Sequence, residues 1–283
     1  MKKKIFFSST IQVKKNNKYG KSKKICEKIL NNFSTKNKSK VIILRLPNLF
    51  GKWSKPNYNS VVSTFCYNAS RNKTLNIIDP NYKLNLLYID DLVDLLIKMK
   101  NQTYVKNKII EKFKSIKKIS VSDLSKLILS FENNRKNFYI NNLNKKFVRD
   151  LYSTYVSFLP KNKVQYKLKS NVDSRGSFLE FIKTNSNGQF SVFVAKKNQI
   201  RGHHFHHSKV EKFLVVSGKG EFYMKDISSK KKMKFLISGN DPTVIESIPG
   251  WQHYIKNTGS SNLIVLLWSN EVFNVNKPDT YRI

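Results

Sequence analysis

All five histidines of this 283-residue chain fall in two short segments. The first reads Gly202-His203-His204-Phe205-His206-His207-Ser208-Lys209-Val210-Glu211, then six residues and Gly218. The second reads Pro249-Gly250-Trp251-Gln252-His253-Tyr254-Ile255-Lys256-Asn257. His204 and His206 are two apart, so a β-strand would turn both imidazoles to one side. Glu211 can return on the same or the next strand, and His253 can arrive from a distant one. Three imidazoles and a carboxylate converging on one point form a divalent transition-metal site, to which Zn²⁺, Fe²⁺ and Mn²⁺ are all suited. Near the N-terminus lies a second set of reactive residue types: Ser9 and Thr10, then Tyr19 and Lys23. The last two are four apart and share a face of a helix. Spacing alone carries little there, because Tyr104 and Lys108 repeat it and chance would produce about as many such pairs.

The elements that must hold these residues differ between the two halves. Lys4 to Phe7 reads as a short buried strand ending in Ser8-Ser9-Thr10. A helix opens near Tyr19, with Ile25, Ile29, Leu30 and Phe33 at helical spacing. Val41 to Leu46 is a second buried strand, broken by Pro47-Asn48. A helix over about 60–71, short strands near Leu75 and Leu86, and a helix from Leu92 to Met99 follow, the last with Asp90 and Asp91 at its N-terminus. Further helices run over 121–132, capped by Ser120, and 144–158, stopped by Pro160. Residues 161–171 form a polar linker. From Phe178 the pattern changes to short alternating strands with glycine turns, as a small double-sheet barrel requires. Gly218-Lys219-Gly220 reads as a hairpin turn and Leu263 to Trp268 as the last buried strand. The length suits two domains, divided here as 1–165 and 166–283.

The first histidine segment and the second resemble the two motifs of the cupin barrel: HxH, four residues, Glu, six residues, Gly, and then Pro-Gly, two residues, His, three residues, Asn. The resemblance implies His204, His206, Glu211 and His253 as metal ligands, with zinc the foremost metal and its role, catalytic or structural, open. In the first half, a strand ending in Ser/Thr, a helix carrying Tyr19 and Lys23, and a strand ending in Arg45-Leu46-Pro47-Asn48 resemble the extended short-chain dehydrogenase/reductases. That family implies a partial Rossmann-type α/β domain. Thr10 (or Ser9) would orient a carbonyl, Tyr19 would act as acid/base, Lys23 would lower the phenol's pKa, and Pro47 and Asn48 would lie beside a nicotinamide cofactor.

Longer strings sharpen the match: Leu46-Pro47-Asn48-Leu49-Phe50-Gly51-Lys52-Trp53, Asp173-Ser174-Arg175-Gly176-Ser177-Phe178, Gly188-Gln189-Phe190-Ser191 and Pro278-Asp279-Thr280-Tyr281. They are similar to the bifunctional capsular-polysaccharide enzymes of UDP-N-acetyl-L-fucosamine synthesis. The resemblance implies that the cupin epimerises C3 of a UDP-2-acetamido-2,6-dideoxy-4-hexulose and that the reductase domain reduces the C4 ketone with NADPH. It also implies a homodimer. His203, His207 and Tyr254 are the candidate proton carriers near the metal motif.

One departure stands against these matches. The first of ten glycines is Gly20, so no glycine-rich turn precedes Thr10 to cradle a cofactor diphosphate. The expectation is that this polypeptide alone neither binds NADPH nor reduces a ketone, the cofactor-binding half being missing or supplied by a separate polypeptide. A metal cupin of other activity and a non-catalytic dimerising remnant are the competing readings.

The net charge of +35 comes from 53 Lys and Arg against 18 Asp and Glu. Only seven of the 53 are arginine and the lysines spread along the whole chain, unlike the concentrated stripe of a nucleic-acid binder. Cys26 and Cys66 have no paired or metal-ligand spacing, which suits a reducing compartment. With no signal-peptide core or membrane-spanning run, the expectation is a cytoplasmic protein without nucleic-acid or membrane partners.

Overall fold

The computed structural model describes residues 4–102 and 107–282. Two compact units emerge, one from residues 1–132 and 143–164, the other from 133–142 and 165–283. The single boundary expected at 165/166 is therefore interrupted: a ten-residue excursion joins the second unit, where Tyr139–Ile140 pairs in parallel with Lys183 and Thr184.

The first unit is built from β1 (Lys4–Thr10), α1 (Lys18–Asn37), β2 (Lys40–Leu46), β3 (Asn48–Phe50), α2 (Val61–Ala69), β4 (Lys83–Tyr88), α3 (Ile89–Asn101), β5 (Lys108–Ile110), β6 (Lys117–Ser120), α4 (Val121–Lys136, whose last turn passes to the second unit), α5 (Lys146–Ser157) and the single turn α6 (Lys161–Val164). β1, β2 and β5 make one parallel sheet, and β3, β4 and β6 a mixed one. β2 is the most buried strand, with Ile42, Ile43 and Leu44 nearly inaccessible. That continuous apolar run is what a parallel strand covered on both faces demands. Ser120 caps α4, accepting from the Asp123 N–H at 3.0 Å. The strand expected near Leu75 does not form. The expected polar linker instead contains α6 and the start of a strand at Ser170.

Helix α1 inverts its expected amphipathicity. Gly20, Glu27 and Ser34 are its buried residues, while Ile25, Ile29 and Phe33 are 58%, 60% and 43% exposed. Two polar contacts explain the inward face. A side chain at Gly20 would place its Cβ 2.2 Å from the Gln12 carbonyl oxygen, so only glycine lets the helix start this close to the preceding turn. Two turns further on, Glu27 accepts a hydrogen bond from Ser9 at 2.5 Å and pairs with Arg45 Nη2 at 2.6 Å. Arg45 also pairs with Glu111, which Lys14 meets at 2.5 Å. Ser9 and Arg45 are register partners in β1 and β2, so this ionic chain fixes the C-terminal ends of both strands.

The second unit holds β7 (Tyr139–Ile140), β8 (Ser170–Asp173), β9 (Gly176–Thr184), β10 (Gln189–Ala195), β11 (Ile200–Phe205), β12 (Glu211–Ser217), β13 (Lys219–Asp226), β14 (Lys232–Ser238), β15 (Val244–Glu246), β16 (Trp251–Asn257), β17 (Leu263–Ser269) and β18 (Tyr281–Arg282). A seven-stranded sheet runs β15-β12-β17-β10-β9-β7, with β8 on β9, and a five-stranded sheet runs β14-β13-β16-β11-β18. Their inner faces share one core in which Phe193, Phe213, Val215, Phe222, Ile255 and Val265 are buried. Alternation along β10 and β16 buries every second residue, as a two-sheet core requires. Gly218 does not make a hairpin. It carries the chain from β12 in the larger sheet to β13 in the smaller one, at φ +89° and with its would-be Cβ 2.6 Å from the Asn262 carbonyl oxygen. No helix among the described residues is long and apolar enough to cross a membrane.

The Glu27–Arg45 pair yields a stability prediction. Burial alone would raise the Glu27 carboxyl, but the Arg45 and Ser9 hydrogen bonds outweigh it and hold it below its usual 4.5. Its contribution is thus fully present above pH 4.5 and is lost as pH falls through the depressed value. Arg45→Met should cost about 3 kcal/mol by stranding a buried carboxylate, read as a lower urea midpoint at pH 7. The deficit should shrink in acid as Glu27 protonates.

Candidate metal centre and a second polar pocket

The side chains of the candidate metal site are gathered by a local irregularity in strand pairing. β11 and β16 run antiparallel with Gly202 opposite Tyr254 and His204 opposite His253, so His203 is an extra residue. Gly202 and His203 take φ of +112° and +62°. This bulge re-aims the strand so that His204 faces inward beside His253, their ring centroids 4.9 Å apart. His206 follows two residues later with its ring 4.8 Å from that of His204. Glu211 opens β12 and enters from the opposite sheet. The donor atoms of His204, His206, Glu211 and His253 all lie within 4.8 Å of one another.

Glu211 Oε2 lies 3.2 Å from His206 Nε2 and 3.2 Å from His253 Nε2. Donors bound at about 2.1 Å to one metal lie about 3.0 to 3.4 Å apart at octahedral to tetrahedral angles, so this spacing fits a shared ion. The other ring nitrogens decide the protonation. His206 Nδ1 contacts the backbone carbonyl of Asp279, and His253 Nδ1 faces the Trp251 carbonyl at 3.3 Å. A carbonyl only accepts, so a neutral imidazole placed this way keeps its proton on Nδ1 and turns a bare Nε2 lone pair toward the carboxylate. Two lone pairs and an anionic oxygen then face each other inside the protein. His206 and His253 are each 2% exposed and Glu211 is 7% exposed, so solvent does little to relieve the repulsion. A divalent cation among them resolves it, and the four residues could hold one. Burial, together with the neighbouring His253 and His206, pushes the His204 pKa down to about 4, which keeps its ring neutral and available as a ligand near pH 7.

Other residues fix this group in place. The Glu211 N–H donates to Ser247 Oγ at 2.8 Å, and the Ser247 N–H returns to the Glu211 carbonyl at 2.8 Å. The Gly250 N–H donates to the His206 carbonyl at 2.7 Å, tying the two histidine segments together. Asp279 does most. Its carboxylate accepts from the N–H groups of His207 (2.9 Å), Ser208 (2.8 Å) and Lys209 (2.8 Å), while its own carbonyl meets His206. These three donors hold the Asp279 carboxyl far below the usual range despite the opposing effect of burial. Asn257, from the second motif, is fully buried and satisfied: it donates to the Ala195 and Ser261 carbonyls and accepts from the Gly259 N–H. Its role is to hold a turn.

The cluster opens on a cavity of about 360 Å³ walled by Phe193, Phe213, Phe222 and Phe273. Of the three candidate proton carriers, Tyr254 is the one among the residues that line it. Tyr254 reaches the rim, but its ring stacks between His203 at 4.3 Å and Tyr223 at 4.8 Å on the outward face of the sheet. His207 packs against Tyr281 at 4.7 Å. Strand alternation and the bulge together account for this placement. The sequence reading assigned no individual role to Asp279, Ser247 or Arg201. Asp279 had a signal only as part of the string Pro278-Asp279-Thr280-Tyr281.

In the first unit, Thr10, Tyr19, Lys23, Pro47 and Asn48 line one pocket of about 350 Å³ at the C-terminal ends of β1 and β2. Lys23 Nζ donates to the Ser8 carbonyl at 2.9 Å and lies 5.9 Å from the Tyr19 ring centre. The Tyr19 side of α1 is open to solvent. Ser9 spends its hydroxyl proton on Glu27. Thr10 instead accepts from the Gln12 N–H at 3.2 Å, and a hydroxyl that accepts in this way can still donate to a ligand. Tyr104 of the other Tyr-xxx-Lys pair lies outside the described residues.

Two family models match the chain: the NAD dependent epimerase/dehydratase family over residues 2–111 and the polysaccharide biosynthesis C-terminal domain over 171–281. A Pseudomonas aeruginosa protein named UDP-2-acetamido-2,6-beta-L-arabino-hexul-4-ose reductase is 39% identical over 277 residues, which is 98% of this chain and 74% of that protein. The crystal structure of capsular polysaccharide assembling protein CapF from Staphylococcus aureus matches with a TM-score of 0.95 at 39% identity, covering 100% of this chain and 78% of that one. A structure of CapF with the inhibitor 3-isopropenyl-tropolone matches with a TM-score of 0.88 at 37% identity, covering 100% and 79%.

The Asp279 contacts set a measurable expectation. Asp279→Ala removes the acceptor of three N–H groups and should cost about 1 to 2 kcal/mol for this partly exposed anchor. It should also weaken zinc retention at least several-fold in competition with a chromogenic chelator, because the loop that carries His206 is released. Unchanged zinc affinity would show that His206 is held without it.

Proposed function

Because the chain belongs to the family of the UDP-2-acetamido-2,6-beta-L-arabino-hexul-4-ose reductase, we propose that it acts on a UDP-2-acetamido-2,6-dideoxy-4-hexulose in capsule or O-antigen sugar synthesis. Its second unit, a cupin barrel, inverts C3, and its first unit carries the proton-transfer residues for reduction at C4. The observation that carries this reading is the inward His₃Glu cluster, with its tautomers set by carbonyls, at the wall of a substrate-sized cavity.

The C3 proton is acidic because it lies α to the C4 carbonyl, so inversion requires its removal, an enolate, and return of a proton to the opposite face. A divalent ion, zinc foremost, held by His204, His206, Glu211 and His253 would supply the positive charge that stabilises the enolate oxygen. The chain's own residues do the rest of the positioning. Glu211 and the carbonyls of Asp279 and Trp251 fix the imidazoles, and the phenylalanine walls exclude water, which strengthens every charge interaction inside. In the first unit the Thr10 hydroxyl would orient the C4 carbonyl, the Tyr19 phenol would give its oxygen a proton, and Lys23 would tune that phenol. Pro47 and Asn48, in the same pocket, accord with a cofactor beside them.

The residues at hand fit NADPH only in part. They include groups for the nicotinamide end, but within these 283 residues no glycine-rich turn lies ahead of β1 to take the diphosphate. We therefore propose for this pocket only the nicotinamide end of a cofactor, beside Thr10, Tyr19, Lys23, Pro47 and Asn48. Pairing of two copies is favoured by the exposed Phe190, Val244 and Leu266 on the outer face of the larger sheet.

The decisive experiment is proton NMR of the UDP-4-keto-6-deoxy sugar in D₂O with the purified chain and no NADPH. Loss of the C3 signal, abolished by His204→Ala or by chelation, is expected. No exchange from folded, zinc-loaded protein would reject the epimerase.

A further inference from the structure

Seven arginines serve this lysine-dominated chain, and three of them, Arg175, Arg201 and Arg282, line the cavity beside the His₃Glu cluster. Arg201 is the hardest to explain structurally. Its register partner on β16 is Ile255, a buried core residue, so pairing turns the Arg201 side chain toward the inside of the two-sheet unit. That side chain is only 14% exposed, and its guanidinium lies 5.8 Å from the Phe193 ring centre. Its ion pair among the described residues is a single 3.4 Å contact to Asp173 Oδ1. The same carboxylate is already held by Arg175 at 2.6 and 3.1 Å. One anion thus faces two guanidiniums. Arg282 adds a third cation: it sits opposite His204 in the β11–β18 register, which directs it to the same face as that ligand.

A guanidinium drawn inward and left with half a partner is costly unless something else neutralises it. We propose that Arg175, Arg201 and Arg282 form an anion subsite for the diphosphate of a nucleotide-linked substrate, in the same cavity as the His₃Glu cluster. The charges agree: three guanidiniums less Asp173 leave two positive charges, against about two on a diphosphate ester. The planar guanidinium fork matches phosphate oxygens in pairs, where a lysine offers only a point charge. Binding there would place the attached sugar at the cluster and leave the nucleoside toward the cavity mouth. The assignment names the part of the substrate this site grips, and so rests on the epimerase reading.

The test is calorimetric titration of the full chain with UDP, with uridine as the control that lacks phosphate. UDP should bind, and Arg201→Met should weaken a UDP component at least tenfold, with Arg201→Lys restoring only part of it. Melting temperature and zinc content should stay near those of the unaltered chain. Arg282→Met, at an exposed position, carries the same expectation should Arg201→Met fail to fold. Phenylglyoxal labelling mapped by mass spectrometry assigns the site, because UDP should protect Arg201. Folded variants that bind UDP undiminished, or a chain that binds UDP no better than uridine, would overturn the proposal. UDP binding that needs Arg201 without C3 exchange would reject the epimerase and leave the anion subsite standing. C3 exchange with UDP affinity indifferent to all three arginines would do the reverse.

Discussion

The second unit is organised around one oxygen. Glu211 Oε2 is met by two imidazole nitrogens whose rings have their protons turned away toward backbone carbonyls. Such an arrangement cannot rest on hydrogen bonding among neutral groups, and burial removes water as a remedy. Much of the surrounding geometry serves to sustain it. Ser247 grips the Glu211 backbone from both sides, Gly250 joins the two histidine segments, and the bulge at His203 brings His204 into line with His253. The two-sheet core supplies the rigidity, since its strands carry ligands from opposing sheets to one point.

The His₃Glu cluster was legible because its code is local. A two-residue spacing, a return carboxylate and a distant histidine are properties of strands, visible in the letters alone. What orients those ligands was not legible, because the partners of His206 and His253 are backbone carbonyls, which every residue carries. The same limit applies to the candidate proton carriers. His203 and Tyr254 adjoin two of the cluster residues in sequence, and strand pleating turns neighbours to opposite faces, so Tyr254 keeps a place only at the cavity rim. Gly218 was correctly read as a turn, but whether a turn rejoins its own sheet or crosses to another depends on pairings far away.

In the first unit the misreading is more instructive. The apolar stripe of α1 suggested a buried face, yet the helix turns Gly20, Glu27 and Ser34 inward. A glycine that permits close approach and a carboxylate with an arginine partner can outweigh several exposed aliphatic side chains, because a stranded buried charge costs more than a lost methyl contact. The same carboxylate settles which hydroxyl stays available. Ser9 is committed to Glu27, and Thr10, one residue further along β1, is the one at the pocket with donor capacity to spare.

The grip of Asp279 on the His206 loop also has a temporal side. The residue that sets the ring's tautomer lies 73 positions downstream of it. On a ribosome, His204, His206 and Glu211 are therefore synthesised well before the carbonyl that locks the His206 ring, while His253 comes only shortly ahead of it. The His206 ring can therefore be held in its tautomer only once the Asp279 segment has returned to the loop, so the inward face of the cluster is completed from the far side of the barrel's sequence.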